Sequence, residues 1–217
     1  MKIPLFVSGV LVAAAPFLFS ADAKFSQRGQ LLFSDDMSGP TLAKEWGGKP
    51  GKWEMVDGAL KVSEVPEDKH AAVRRHPLKY HDAILEFSFQ LNGAKAIALS
   101  LNQKGGHTCR AMVNPAMLIV QVDQPTPTSD QKAVRLGAAK VKIEPGQWHK
   151  LTVEVRGPMM IAQLDDNPPV SGENARVDVD KVDLGIPVSG VSALVKGVKV
   201  FAVKCDARAR KLRHDLQ

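Results

Sequence analysis

Residues 83–91 read AILEFSFQL, and their pattern is the strongest constraint on the fold. Leu85, Phe87, Phe89 and Leu91 alternate without a break with Glu86, Ser88 and Gln90. A period of two puts successive side chains on opposite faces of an extended strand, so one face is apolar and the other polar. A helix would scatter these residues around its axis. The same period returns in AIALSLNQ (Ile97, Leu99, Leu101) and in HKLTVEVRG (Leu151, Val153, Val155 against Thr152, Glu154, Arg156). GKWEMVDGALKV reads as two short extended pieces joined at Asp57-Gly58, a pair suited to a tight hairpin turn. TCRAMVNP and MLIVQVDQ make a further pair, MMIAQLDDN turns back near Asp166-Asn167, and GVKVFAVKC is the last clear strand. Before the tail there is no sustained helical stripe with start and stop signals. Short strands broken by Gly, Pro, Asn and Asp predict an all-β, two-sheet antiparallel sandwich, and a jelly roll accommodates the length.

The 217-residue chain divides into three parts. Lys2, the apolar run IPLFVSGVLVAAAPFLF and the small residues of SADA predict a signal peptide over 1–23, cleaved after Ala23, with a retained anchor as the competing reading. Residues 24–204 form the sandwich domain, and 205–217 a basic tail. No later segment is long and apolar enough to span a bilayer. The expected location is therefore periplasmic or secreted. The net charge of +6 favours acidic surfaces or polysaccharides without naming one. Scattered basic residues and an export signal argue against nucleic acid. The composition leaves the oligomeric state open.

Cys109 and Cys205 stand far apart. They form a disulfide if their strand ends are neighbours, or remain two buried thiols. A zinc site on Cys109 and His107 lacks further ligands at suitable spacing.

Several stretches, taken in order, resemble the 3-keto-disaccharide hydrolase domain family: LLFSDDMSG, GKWEMVDGAL, HDAILEFSFQL, GGHTCRAMV, PGQWHKLTVEVRGPMMIAQLDD and GVKVFAVK. Together they run from about Leu31 to Lys204. The family's usual Asp-Gly after the long hairpin is Asp165-Asp166-Asn167 here. The resemblance implies an exported domain with a concanavalin-like jelly-roll fold that acts on a carbohydrate or glycoside. It implies cleavage of a 3-keto-glycoside by elimination and hydration. A non-catalytic glycan-binding module of the cell envelope is the alternative, and a structural envelope domain a third.

The residues can be weighed against that chemistry. Jelly-roll glucanases need two carboxylates flanking one bond, and the nearest approach is VDVDKVD, where Asp183 has the wrong parity relative to Asp178 and Asp180. That stretch reads as a solvated loop or a weak calcium site. There is no nucleophile elbow, paired-histidine metal motif or phosphate loop. Elimination from a 3-keto sugar instead needs a base near neutral pKa and a cation, or a divalent metal, at the enolate oxygen.

His107 and Arg110, behind Gly105-Gly106, are the leading candidates. Their spacing puts them on opposite faces of an unbroken strand, so a bulge at the strand entrance is required to bring them together. His70 is expected as a second catalytic residue. It shares an opposing wall with Lys69, and Glu86 lies beneath. Arg74 and Arg75 read as surface charges. Trp46 is the one tryptophan expected beside a ligand, Trp53 reads as core, and Trp148 reads as a plug at a sandwich edge.

Overall fold

The computed structural model describes residues 24–48 and 50–204. Two antiparallel sheets face each other across one apolar core. Fourteen strands are found among these residues: β1 (Arg28–Asp35), β2 (Lys52–Val56), β3 (Ala59–Ser63), β4 (Ala72–Tyr80), β5 (Ala83–Leu91), β6 (Ala94–Gln103) and β7 (Gly106–Val113), then β8 (Met117–Val122), β9 (Val134–Lys140), β10 (His149–Arg156), β11 (Met159–Leu164), β12 (Val170–Glu173), β13 (Lys181–Gly190) and β14 (Ala193–Val203). The eight-stranded sheet runs β12-β11-β10-β5-β14-β3-β2, with β1 beside β3 along the same edge of β14. The six-stranded sheet runs β4-β13-β6-β7-β8-β9.

The alternation read from the sequence decides which side chains meet. Leu85, Phe87, Phe89 and Leu91 of β5 pack with Leu151, Val153 and Val155 of β10 on the inner face of the larger sheet. Ile97, Leu99 and Leu101 of β6, with Cys109, Ala111 and Val113 of β7, close on them from the smaller sheet. Asp57 and Gly58 both have positive φ (50° and 72°), which the two-residue turn between β2 and β3 requires. The β11–β12 hairpin pivots on Asp165, also at positive φ. Trp53 packs against the core from its margin. Trp148 does not plug an edge: it is 39% exposed, with the Lys196 amine 3.9 Å above its ring, while its neighbour His149 is buried.

Cys109 points into the core, where burial pushes its thiol up to about 12, so it is an inert apolar side chain. Cys205, the predicted signal peptide and the basic tail lie outside the described residues. No helix among the described residues is long and apolar enough to cross a membrane.

The VDVDKVD stretch is a solvated loop only at Asp178 and Asp180, which are exposed, and its carboxylates engage a histidine where a weak calcium site is the alternative. Lys181 is wholly buried, and its amine donates to the carbonyls of His81 (2.9 Å) and Val177 (2.7 Å). Asp178 and Asp180 clamp the two ring nitrogens of His81 at 2.9 and 2.8 Å. Those carboxylates raise the His81 pKa, chiefly through Asp178 and then Asp180. A raised folded-state pKa contributes stability that is full below the unfolded value of about 6.5 and fades as pH rises through the folded value. The urea midpoint should therefore fall between pH 5.5 and pH 8.5, and His81→Gln should flatten that part of the profile. An unchanged slope in the variant would assign the dependence elsewhere.

Candidate functional site

The outward face of the six-stranded sheet differs from that of its partner sheet. Ser100, Ala98 and Asn102 point away from the core, yet all three are at most 4% exposed. No further layer of secondary structure packs over them among the described residues. Small side chains at the centre, flanked by taller ones, make this face a trench. Register places one residue per strand across it: Arg75 (β4), Gly185 (β13), Ser100 (β6), Arg110 (β7), Gln121 (β8) and Arg135 (β9). A Cβ on Gly185 would lie 2.8 Å from Ser100 Oγ and 3.3 Å from Arg75 Cγ, so the Arg75 stem lies against this glycine.

The required bulge is present. Leu101 pairs with Cys109 but Asn102 pairs with His107, leaving Thr108 as the extra residue. That slip puts His107 and Arg110 on the same face. Gly106 is needed there because a Cβ would meet Pro125 O at 2.6 Å. The His107 backbone N–H donates to the same carbonyl at 2.9 Å.

His107 is held by a relay. Its Nδ1 lies 2.8 Å from Asn102 Oδ1, and Asn102 Nδ2 donates to Asp183 Oδ1 at 2.5 Å. A carboxylate oxygen accepts, which places the amide nitrogen toward Asp183 and the amide oxygen toward His107. Nδ1 must therefore carry the proton, leaving the Nε2 lone pair free, and no partner for Nε2 occurs among the described residues. Burial lowers the His107 pKa first, and Arg75 lowers it further. Both effects favour the neutral ring.

His107 stands between two adjoining recesses. One, of about 370 Å³, is lined by Arg75, Gly106, Pro125 and Asp183. The other, of about 230 Å³, is lined by Thr108, Gln131, Arg176 and Val179. Arg176 fixes the wall of the second by donating to the carbonyls of Asp123 and Lys132. Arg110 donates its Nε to both Asp123 oxygens at 2.8 Å, and Gln121 donates to the same carboxylate. The terminal nitrogens of Arg110 have no partner among the described residues.

The other expected site residues lie elsewhere. His70 and Lys69 sit beyond the start of β4, whereas the His107 level of that strand is Pro77, opposite Asp183. Seven residues at ~3.3 Å each separate the two positions, so His70 and Lys69 form no opposing wall. His70 is exposed and contacts Ala71 O, while Lys69 closes a 3-10 turn at φ 48°. Glu86 faces outward from the other sheet, on the opposite side of the core, gripped by Arg28 (2.7 Å) and Lys150 (2.9 Å). Burial works to raise its pKa, but these two cations outweigh that and hold it low. Trp46 is buried, not ligand-facing: its Nε1 donates to Asp35 at 2.8 Å and its ring meets Phe33 and His76 edge-on.

Conversely, Asn102, which nothing in the sequence singled out, belongs to the site, as do Arg75, read there as a surface charge, and Asp183, read there as part of a loop. Arg75 faces the recess, whereas Arg74 stacks over Trp53 and donates to Gly48 O. No group of three or more metal-ligating side chains occurs among the described residues.

No protein-family model matches this sequence, and no curated protein does. Solved structures do match. The carbohydrate-binding module CBM66 from Bacillus subtilis superposes with a TM-score of 0.61 at 15% identity, over 73% of this chain and 96% of that one. A laminarinase from Rhodothermus marinus gives 0.62 at 14% identity, over 82% and 99%. A Bacillus subtilis protein of galectin-like fold gives 0.63 at 9% identity, over 82% and 98%. The fold is an antiparallel jelly-roll sandwich. At these identities the likeness is one of architecture, and the site must be read from its own residues.

Proposed function

We propose that the protein is an exported jelly-roll domain that binds a glycan in the trench of its six-stranded sheet and cleaves a 3-keto-glycoside at His107. The observation that carries this reading is the Asp183–Asn102–His107 relay, which holds an unprotonated Nε2 beside the Arg75 guanidinium. A ketone at C3 acidifies the hydrogen on C2. Nε2 takes that proton, and the electron pair passes into the carbonyl to give an enolate whose oxygen lies within reach of Arg75. As the carbonyl re-forms, the C1–O bond breaks and the departing oxygen receives the proton from the His107 imidazolium. Water then adds across the resulting double bond, so the overall change is hydrolysis.

The family motifs in the sequence support the substrate, and the solved neighbours that are a carbohydrate-binding module and a laminarinase support a glycan. The two carboxylates near the centre of the trench are already engaged, Asp183 by Asn102 and Asp123 by Arg110. This speaks against a paired-carboxylate glycosidase. A purely glycan-binding role is the second reading, favoured by the trench crossing all six strands.

Incubation with a 3-keto-glycoside in deuterated buffer separates the two. The catalytic reading expects sugar release and deuterium at C2, while binding without either would leave the glycan-binding module. The pH profile adds a further expectation. With the His107 pKa lowered, kcat/KM should rise with pH along a limb centred below about 6.5, the ordinary histidine value. A limb centred above 6.5 would exclude His107 as the base.

A further inference from the structure

The row of residues across the trench carries more cations than its carboxylates answer: Arg110 is paired with Asp123, whereas Arg75 and Arg135 pair with no carboxylate among the described residues. The Arg75 and Arg135 guanidiniums have no hydrogen-bond or ion-pair partner among the described residues, Arg75 bonding only through its backbone, as to Gly47. Arg110 spends only its Nε on Asp123, so its two terminal nitrogens point away free. The acids at this level of the face compensate only Arg110. Asp123 is 2% exposed beneath Arg110, and Asp183 is turned into the His107 relay. Three guanidiniums therefore sit on one line at strand positions one, four and six of the sheet. At ~4.8 Å per strand they are separated by about 14 and 10 Å. Gly185, Ser100 and Gln121 between them leave the line low and polar.

We infer that the trench takes an acidic glycan, a chain whose sugars carry carboxylate or sulfate groups, running perpendicular to the strands from His107 toward β9. This inference rests on the glycan-cleaving reading and deepens it by giving the substrate's charge. Guanidinium groups match carboxylate and sulfate oxygens with two parallel donors, which lysine cannot do. A pyranose advances a chain by about one strand spacing, so acidic groups on non-adjacent sugars fall in register with the arginines. The first ring lies between Arg75 and His107, where the cation faces the reacting carbonyl. The later rings pass Arg110 and end at Arg135, on the exposed edge strand, where the guanidinium recognises charge without touching the chemistry. Neutral glucans would leave these donors unanswered, so the row also discriminates against them.

The test is calorimetric titration of the whole protein with polygalacturonate, dextran sulfate and laminarin, a neutral glucan, at two salt concentrations. At least one polyanion should bind at least tenfold more tightly than laminarin, and the preferred polyanion decides between carboxylate and sulfate. Arg135→Gln should weaken that binding about tenfold. Lys199→Gln, which removes an exposed cation from the outward side of the other sheet, should leave it unchanged. Laminarin binding as tightly as the polyanions would overturn the inference, as would equal losses in the two variants, which would mean diffuse attraction to a basic protein. Sugar release from a neutral 3-keto-glycoside alongside such a result would leave the catalytic reading standing. Selective polyanion binding without release or C2 exchange would remove catalysis and keep the acidic-glycan site.

Discussion

His107→Gln should cut 3-keto-glycoside turnover by about 10²–10⁴-fold, the usual contribution of a positioned general base, with little change in thermal stability. The ring lies at the strand entrance, and glutamine can still reach Asn102, so the fold does not depend on the imidazole. Asn102→Asp should act through the same atom without touching substrate. A carboxylate there would face Asp183 across 2.5 Å and also raise the His107 pKa. The acid limb of kcat/KM should move up in this variant while the plateau falls less than in His107→Gln. A merely structural Asn102 would lower stability and leave the limb where it was. Turnover unchanged in His107→Gln would move the base to another residue.

Lys181→Ala should cost about 3 kcal/mol of folding stability, because it strands two carbonyls in the interior and opens a cavity. For a domain of this size that is a fall of roughly 6–12 °C in Tm. Lys181→Met keeps most of the packed stem and loses only the donors, so it should recover part of the loss. The Lys181 pKa is lowered, first by burial, with nearby Cys109 and the Asp82, Asp178 and Asp180 carboxylates acting against that. Both variants should therefore weaken the dependence of stability on alkaline pH. Differential scanning calorimetry across pH 6–10 measures both effects, and a loss under 1 kcal/mol in Lys181→Ala would show the carbonyls finding other donors.

The sandwich was legible because its signal is local. Seven consecutive alternating residues in β5, Leu85 to Leu91, fix its two faces, and Asp57-Gly58 can hardly make anything but a tight turn. The bulge at His107 was also within reach, since a glycine pair before a strand and two polar residues of opposite parity admit few other solutions. The relay was not. Asn102 and Asp183 are 81 positions apart, and their meeting depends on β13 lying beside β6, a pairing no local pattern encodes. Arg74 and Arg75 show the same limit, because only the register against Gly185 and Ile186 tells which of them faces the trench. Glu86 misled for the complementary reason. Alternation correctly placed it outward, but whether outward meant the His107 trench depended on which sheet β5 joined. Lys181 sat in an acidic, polar stretch that looked solvated, and its burial is matched by two carbonyls, one four residues back at Val177 and one from the distant His81.

The order of strands in the larger sheet has a consequence for how the chain acquires its shape. β14, the last of the described strands, lies in the interior of that sheet, with β5 on one edge and β1 and β3 on the other. Until Ala193–Val203 has been synthesised, β1 and β3 have no partner joining them to β5, and the inner faces of both flanks stay open to water. The larger sheet therefore cannot be completed until its last described strand is present. Completing that sheet joins segments more than 160 residues apart, and so non-local a pairing favours slow folding.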